Sequence, residues 1–108
     1  MSIDGYYLSK LSAAVGCLVG LGDIRMRVEY AFASMTTIKS EEFSNEEIGD
    51  RYQELYDRCT SHAAENDGEG TIRATLRHMS DEDVSDIAHK IFELHNWLLY
   101  ERAPQALM

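Results

Sequence analysis

The sequence predicts an all-α fold: a four-helix up-down bundle with a short extra helix between helices 3 and 4. In four separate stretches, apolar residues recur at alternating steps of three and four, which places each set along one side of a helix. The chain has a single proline among its 108 residues, so long helices can run without interruption. Short links between consecutive helices favour antiparallel neighbours.

Helices 1 and 2 are predicted over residues 5–21 and 24–39. Gly22 is a natural stop for the first helix, and Asp23 can accept a hydrogen bond from the first turn of the second. Their apolar stripes consist of Leu8, Leu11, Val15 and Leu18 in helix 1, and of Ile24, Val28, Ala31, Met35 and Ile38 in helix 2.

Helices 3 and 4 are predicted over 45–64 and 81–102, with a short helical segment over 71–79. Ser44 and Glu47 have the spacing of a capping box, and Ser80 can cap helix 4. The turn residues of 66–70 must break helix 3. The apolar stripes are Ile48, Tyr52, Leu55 and Cys59 in helix 3, and Val84, Ile87, Ile91, Leu94 and Leu98 in helix 4.

Composition indicates a single domain over 1–108, because 44% hydrophobic and 27% charged residues are the ordinary globular mixture. The two cysteines, Cys17 and Cys59, are too few for a disulfide framework, so we expect buried free thiols and a cytoplasmic protein. The longest apolar run, 13–21, is too short to cross a bilayer, and we expect no membrane association.

The net charge of −9 is concentrated in one segment. Residues 40–70 carry ten acidic and two basic side chains, whereas the rest of the chain is nearly balanced. Such a charge disfavours direct nucleic-acid binding and suits a partner protein with a basic surface. The spacing within helix 3 predicts a nearly continuous acidic strip, partly offset by Arg51 and Arg58, whose members are Glu46, Glu47, Asp50, Glu54 and Asp57.

Tyr56 lies beside this strip, and tyrosines next to charges recur in protein-binding surfaces. The expected partner-binding residues are therefore Tyr56 and the five acidic residues. The alternative is that the strip is a solvent-exposed helix face with no role in binding. Trp97, just off the stripe of helix 4, is expected in the core. His95 is expected to be half-buried with a polar partner.

Helix 1 also carries a seam of small residues, Ala13, Gly16, Cys17 and Gly20. Glycine costs about 1 kcal/mol inside a helix, so close approach of another helix would have to compensate. Packing within the chain is the first explanation. The alternative is that helix 1 packs against a second copy, which would make the protein a structural homodimer.

The sequence gives little support for catalysis or for metal binding. Cys59 and His62, and likewise Asp86 and His89, have helical ligand spacing, but no complete zinc or di-iron motif is present. No motif of nucleophilic catalysis or phosphate binding occurs. We therefore expect no catalytic residues, no metal and no cofactor. The leading hypothesis is a non-enzymatic inhibitor, immunity factor or regulatory adaptor; mimicry of nucleic-acid charge is a special case of it. A homodimer and a small metal-binding protein are the alternatives.

Overall fold

The computed structural model describes residues 3–66 and 68–102. These residues form five α-helices and a short 3-10 helix, η1, and no β-strand occurs in these two ranges. The all-α prediction is confirmed. The elements are α1 Ile3–Leu18, α2 Ile24–Ser34, η1 Ser40–Glu42, α3 Glu46–Cys59, α4 Thr71–Arg77 and α5 Asp81–Arg102.

Two of the predicted helix starts are confirmed in atomic detail. The side chain of Asp23 accepts a hydrogen bond from the backbone N–H of Met26 at 3.0 Å, and Ser80 Oγ accepts one from Asp83 N–H at 3.1 Å. Gly22 adopts φ +107°, which favours glycine in the turn between α1 and α2. Local side-chain capping therefore sets the entry to α2 and to α5.

The predicted start of α3 is wrong by one residue. The cap is Asn45, whose side-chain oxygen accepts hydrogen bonds from Glu47 N–H at 2.9 Å and Ile48 N–H at 3.3 Å. Ser44 does not cap the helix; its backbone N–H donates instead to Asp4 Oδ1 at 3.1 Å. Asparagine caps a helix as well as serine does, so the tertiary contact of Ser44 decides between the two.

Three helices end earlier than predicted. α1 ends at Leu18, not at 21, and Arg27 donates to the Leu18 carbonyl oxygen at 2.7 Å. α3 ends at Cys59, not at 64, and Thr60 Oγ1 donates to the Tyr56 carbonyl oxygen at 2.9 Å. Side chains thus satisfy carbonyl groups that the helices would otherwise leave unpaired.

The third early end is that of α2, which stops at Ser34 and not at 39. The backbone N–H of Lys39 donates to Tyr7 Oη at 3.1 Å, so this part of the chain is bonded to α1 and not to its own preceding turn. Ile38 is nevertheless buried, as its place in the predicted stripe required. The short segment α4 also ends before 79, at Arg77.

Residues of the four predicted stripes form most of the hydrophobic core, and residues outside the stripes complete it: Tyr7, Ala14, Phe32, Phe43 and Leu76. All the stripe residues are buried except Leu8, Val15 and Ile24, which are half-buried against the core. α1 packs on α2 and α5, α5 also packs on α2 and α3, and α4 packs on α2 and α3. Although α2 and α3 follow each other along the chain, they do not pack closely, and hollows remain between them. None of the described helices has the length and apolarity that a bilayer span requires.

Candidate functional site

The five acidic residues of helix 3 are all exposed on the outer side of α3, opposite its buried residues Ile48, Tyr52 and Leu55. We refer to them as the acidic ridge, and its members are Glu46, Glu47, Asp50, Glu54 and Asp57. A helix brings positions three and four apart onto one side, which explains why the predicted spacing leads to this arrangement.

Few contacts with the side chains that the structure describes neutralise the acidic ridge. Glu47 lies 3.9 Å from Arg51, and Asp57 accepts a hydrogen bond from the Gln53 side chain at 2.8 Å. The carboxylates of Glu46, Asp50 and Glu54 have no hydrogen bond or ion pair to the side chains in 3–66 and 68–101. Three of the five ridge carboxylates are therefore exposed without a directly paired cation among these side chains.

Arg58 does not offset the ridge, contrary to the sequence prediction. Its guanidinium turns towards α5, where Nη1 lies 2.7 Å from Asp86 Oδ2 and Nη2 lies 3.6 Å from Asp83 Oδ1. The hydrogen bond from Arg58 holds the pKa of Asp86 below its usual range. This arginine links α3 to α5, and among the cations whose side chains the structure describes only Arg51 pairs with a ridge carboxylate.

On the α5 side of the ridge lies a narrow groove with a cavity of about 150 Å³. Leu55 and Leu94 form its floor, and Trp97 lines one end. Trp97 is half-buried, not a full core residue, and its indole N–H donates to Glu101 Oε1 at 3.0 Å. The cationic residues Arg51, Arg58 and Lys90 stand at this groove together with Glu54 and Glu93, so its charges nearly balance.

On the opposite side of α3, two adjoining hollows separate this helix from α2. They share Phe32, Thr36, Tyr56 and Ile72, and the larger contains about 370 Å³. We call them together the Tyr56 groove. Tyr56 is 42% exposed, so its ring is available at the surface between the hollows and the acidic ridge. Sequence reasoning found Tyr56 but not its neighbours, because the gap depends on how α2 and α3 diverge.

A series of aromatic rings supports Tyr56 from within. Its ring stacks on Tyr52, with centroids 6.4 Å apart and planes at 23°. Tyr52 is buried, which raises its pKa to about 12, and its hydroxyl donates to the Met35 carbonyl oxygen at 3.4 Å. Phe43 continues the series to Tyr7, with centroid distances of 6.1 and 5.0 Å. The surface ring therefore rests on a packed base.

The two tyrosines at the start of α1 differ in environment. Tyr7 is 1% exposed and its hydroxyl donates to Glu42 Oε1 at 2.8 Å, whereas Tyr6 is 45% exposed and bonds to Thr37. Burial raises the pKa of Tyr7. The core side of α1 is thus rotated slightly from the predicted stripe, towards Tyr7 and Ala14.

Three of the four residues of the small-residue seam of helix 1 do not pack on another helix of the described chain, so packing within the chain is the wrong explanation for them. Ala13, Gly16 and Gly20 are exposed, and a Cβ added at Gly16 would meet no atom within 4 Å. Gly20 lies beyond the end of α1. Cys17 is half-buried, not fully buried as predicted, with Sγ 3.6 Å from Ser34 Oγ on α2.

The candidate ligand residues do not converge. Cys59 is fully buried, and burial raises its pKa to about 12, while Asp86 is engaged by Arg58. His62 stacks on His78 with centroids 4.5 Å apart, and His89 Nδ1 lies 3.0 Å from the Ser85 carbonyl oxygen. Within 3–66 and 68–102, no group of three or more histidine, cysteine, aspartate or glutamate side chains is arranged to hold a metal ion.

Comparisons of this chain with protein-family models, with curated proteins and with solved structures find no match.

Proposed function

We propose that the protein binds another protein through the acidic ridge and the Tyr56 groove, and that it acts as a non-enzymatic inhibitor, immunity factor or regulatory adaptor. The observation that carries the proposal is that a single helix, α3, carries unpaired carboxylates on its outer side and the exposed ring of Tyr56 on the flank that faces the Tyr56 groove. Charge attracts and orients a basic partner, and a buried apolar contact then supplies most of the affinity.

The two parts of the surface suggest the chemistry of the partner. Arginine or lysine side chains would pair with Glu46, Asp50 and Glu54, whose charges are uncompensated within the described residues. An apolar side chain of the partner would enter beside Tyr56 and Ile72. A segment that carries basic residues next to an apolar anchor satisfies both requirements.

Two finer points belong to the same proposal. We place the protein in the cytoplasm, where its free thiols would persist. We also propose that the four long helices have the up-down order of a four-helix bundle, since the described α5 contacts α1, α2 and α3.

The test passes a lysate of the protein's native cells over the immobilised chain and over the immobilised double variant Asp50→Lys/Glu54→Lys, and compares the proteins that each retains. A matched control is Glu82→Lys/Glu93→Lys, which changes the net charge equally through exposed carboxylates of α5. Wild type and control should retain the same basic protein, identified by mass spectrometry, and the ridge variant should lose it.

Association kinetics with that protein then check the electrostatic part. The association rate should fall as salt is raised, because long-range attraction is screened. Equal retention by all three proteins, or an association rate that does not depend on salt, would overturn the role of the ridge.

A further inference from the structure

The groove between α3 and α5 has an apolar interior. Leu55 of α3 and Leu94 of α5 form its floor, and the indole of Trp97 lines one end. An engineered protein cavity of about the same volume, 150 Å³, binds a molecule of benzene. The groove therefore has room for one aromatic ring or for an apolar group of similar size. We call it the Trp97 groove.

Two hydrogen bonds hold the indole that lines this groove. Trp97 Nε1–H donates to Glu101 Oε1 at 3.0 Å, and the side chain of Asn45, the cap of α3, donates to the same oxygen at 2.5 Å. The aromatic wall is thus anchored to the start of α3 as well as to α5. A wall that is already in place loses less conformational entropy when a ligand binds than a mobile side chain does.

Each cation that lines the Trp97 groove has a carboxylate of the same chain within 4.0 Å. Arg51 lies 3.9 Å from Glu47. Arg58 and Lys90 lie 2.7 and 4.0 Å from Asp86. Neither of these two carboxylates lines the groove. The positive charge at the rim is therefore balanced by groups that lie outside it.

The two carboxylates that line the groove are unpaired. Glu54 comes from α3 and Glu93 from α5, both are exposed, and neither has a hydrogen bond or ion pair to the side chains in 3–66 and 68–101. An apolar interior is thus combined with unpaired negative charge on both helices of the groove. The complementary ligand has an apolar body of the size of one ring and carries a positive charge.

We propose that the Trp97 groove binds a small organic cation, a primary ammonium group carried on an aromatic ring or a short hydrocarbon chain. The apolar body lies on Leu55 and Leu94, where its removal from water is favourable, and the ammonium group pairs with Glu54 and Glu93 at the rim. The indole adds cation–π attraction. The net charge of −9 and the adjoining acidic ridge attract cations to this side of the protein and repel anions.

Titration of the isotope-labelled full chain with phenethylamine, followed by NMR, tests the proposal. Trp97 is the only tryptophan of the chain, so its indole N–H gives a single signal that reports on the groove. The amine should shift this signal with a Kd of about 1 mM, which is ordinary for so small a ligand. Phenethyl alcohol and phenylpropionate carry a similar ring with no charge and with a negative charge, and they should bind about tenfold more weakly or worse.

The double variant Glu54→Gln/Glu93→Gln removes the charges assigned to the ammonium group. It should bind the amine about tenfold more weakly and the alcohol as before, and it should fold, because both carboxylates are exposed and unpaired. The matched control Glu46→Gln/Glu82→Gln removes one exposed carboxylate from each of the same helices and should keep the wild-type Kd. An indole signal that the amine does not shift, equal Kd values for amine and alcohol, or equal losses in both double variants would overturn the proposal.

An arginine side chain of another protein is a second source of an organic cation. N-acetyl-arginine methylamide serves as the probe for it in the same titration. If this probe binds more tightly than phenethylamine, the groove belongs to a protein's arginine and the proposal is wrong. No partner protein is present in these titrations, so their failure leaves the proposed function untouched, and failure of the capture experiment leaves the amine site untouched.

Discussion

Arg58 on α3 holds Asp86 on α5, with Nη1 2.7 Å from Oδ2. The contact has two consequences. It ties together two helices that lie far apart in sequence, and it turns one of the two cations of α3 away from the acidic ridge. Arg51 remains, but its distance to Glu47 is 3.9 Å and both side chains are more than half exposed. The negative surface of α3 thus depends on an arginine that points away from it.

We expect Arg58→Gln to lower the thermal unfolding midpoint more than Arg51→Gln does. The first loses a hydrogen-bonded pair between two helices, and the second loses only a long, solvated contact. A double-mutant cycle with Asp86→Asn should show positive coupling for Arg58 and none for Arg51. Equal effects of the two arginine variants would show that the helix-to-helix pair is energetically unimportant.

Local sequence signals predicted most of the helices, but they failed to predict the end of α2, which depends on a contact with a residue distant in sequence. The caps at Asp23 and Ser80 involve residues three positions apart, so the sequence displays them directly. The early end of α2 depends on the hydroxyl of Tyr7, 32 residues before Lys39. The spacing of apolar residues within α2 gives no sign of that contact. Ile38 fits the apolar spacing and is buried, but it is buried from a position beyond the end of the helix, so the predicted helix was too long.

The candidate surface shows the same division. Exposure of Asp50 and Glu54 follows from helical spacing alone, and the sequence predicted it. The direction of the Arg58 side chain could not be predicted from α3 alone, because it depends on the position of α5. Close approach of another part of the chain requires glycine not at Gly16 of the predicted seam but at Gly49, where an added Cβ would collide with the Ser40 carbonyl oxygen. That approach arises only once η1 has packed on α3.

We therefore expect Gly49→Ala and Gly16→Ala to change stability in opposite directions. The first forces η1 away from α3 and should lower the free energy of unfolding by about 1–3 kcal/mol. The second fills open space in a helix and should raise it by about 0.5–1 kcal/mol. Urea denaturation in dilute solution measures both. A neutral Gly49→Ala would contradict the close packing of η1.

The two cysteines should differ strongly in reactivity towards an aromatic disulfide reagent. Only the thiolate reacts, and burial raises the pKa of Cys59 to about 12 while excluding the reagent. Cys17 is half-buried and closer to solvent. We expect one fast-reacting thiol in the native protein and two in urea, with the fast phase absent from Cys17→Ser. Two fast thiols in the native wild type would show that Cys59 is accessible.

Low pH should weaken the attachment of the loop that precedes α4, because this attachment depends on an ionised glutamate. Arg77 hydrogen-bonds to Glu69 and lowers the pKa of this carboxyl from 4.5 to about 2. A lowered pKa stabilises the folded state above about pH 4.5, and that contribution disappears as the pH falls towards 2. Unfolding midpoints of wild type and Glu69→Gln should therefore differ at neutral pH and converge in this range. A difference between the two proteins that stays constant with pH would rule out the linkage.

Tyr56→Ala should separate the two parts of the proposed binding surface once the partner has been captured. Its exposed ring lies on Tyr52 beside the groove, so truncation removes an aromatic anchor but no charge. Loss of such an anchor typically costs about 2 kcal/mol, roughly thirtyfold in Kd, mainly through faster dissociation. Tyr30→Ala, at a similarly exposed tyrosine of α2, should leave Kd unchanged. Because the ridge remains intact, the salt dependence of association should persist in Tyr56→Ala, and surface plasmon resonance measures both rates. Unchanged dissociation from Tyr56→Ala would mean that the partner engages the charges of α3 without entering the Tyr56 groove.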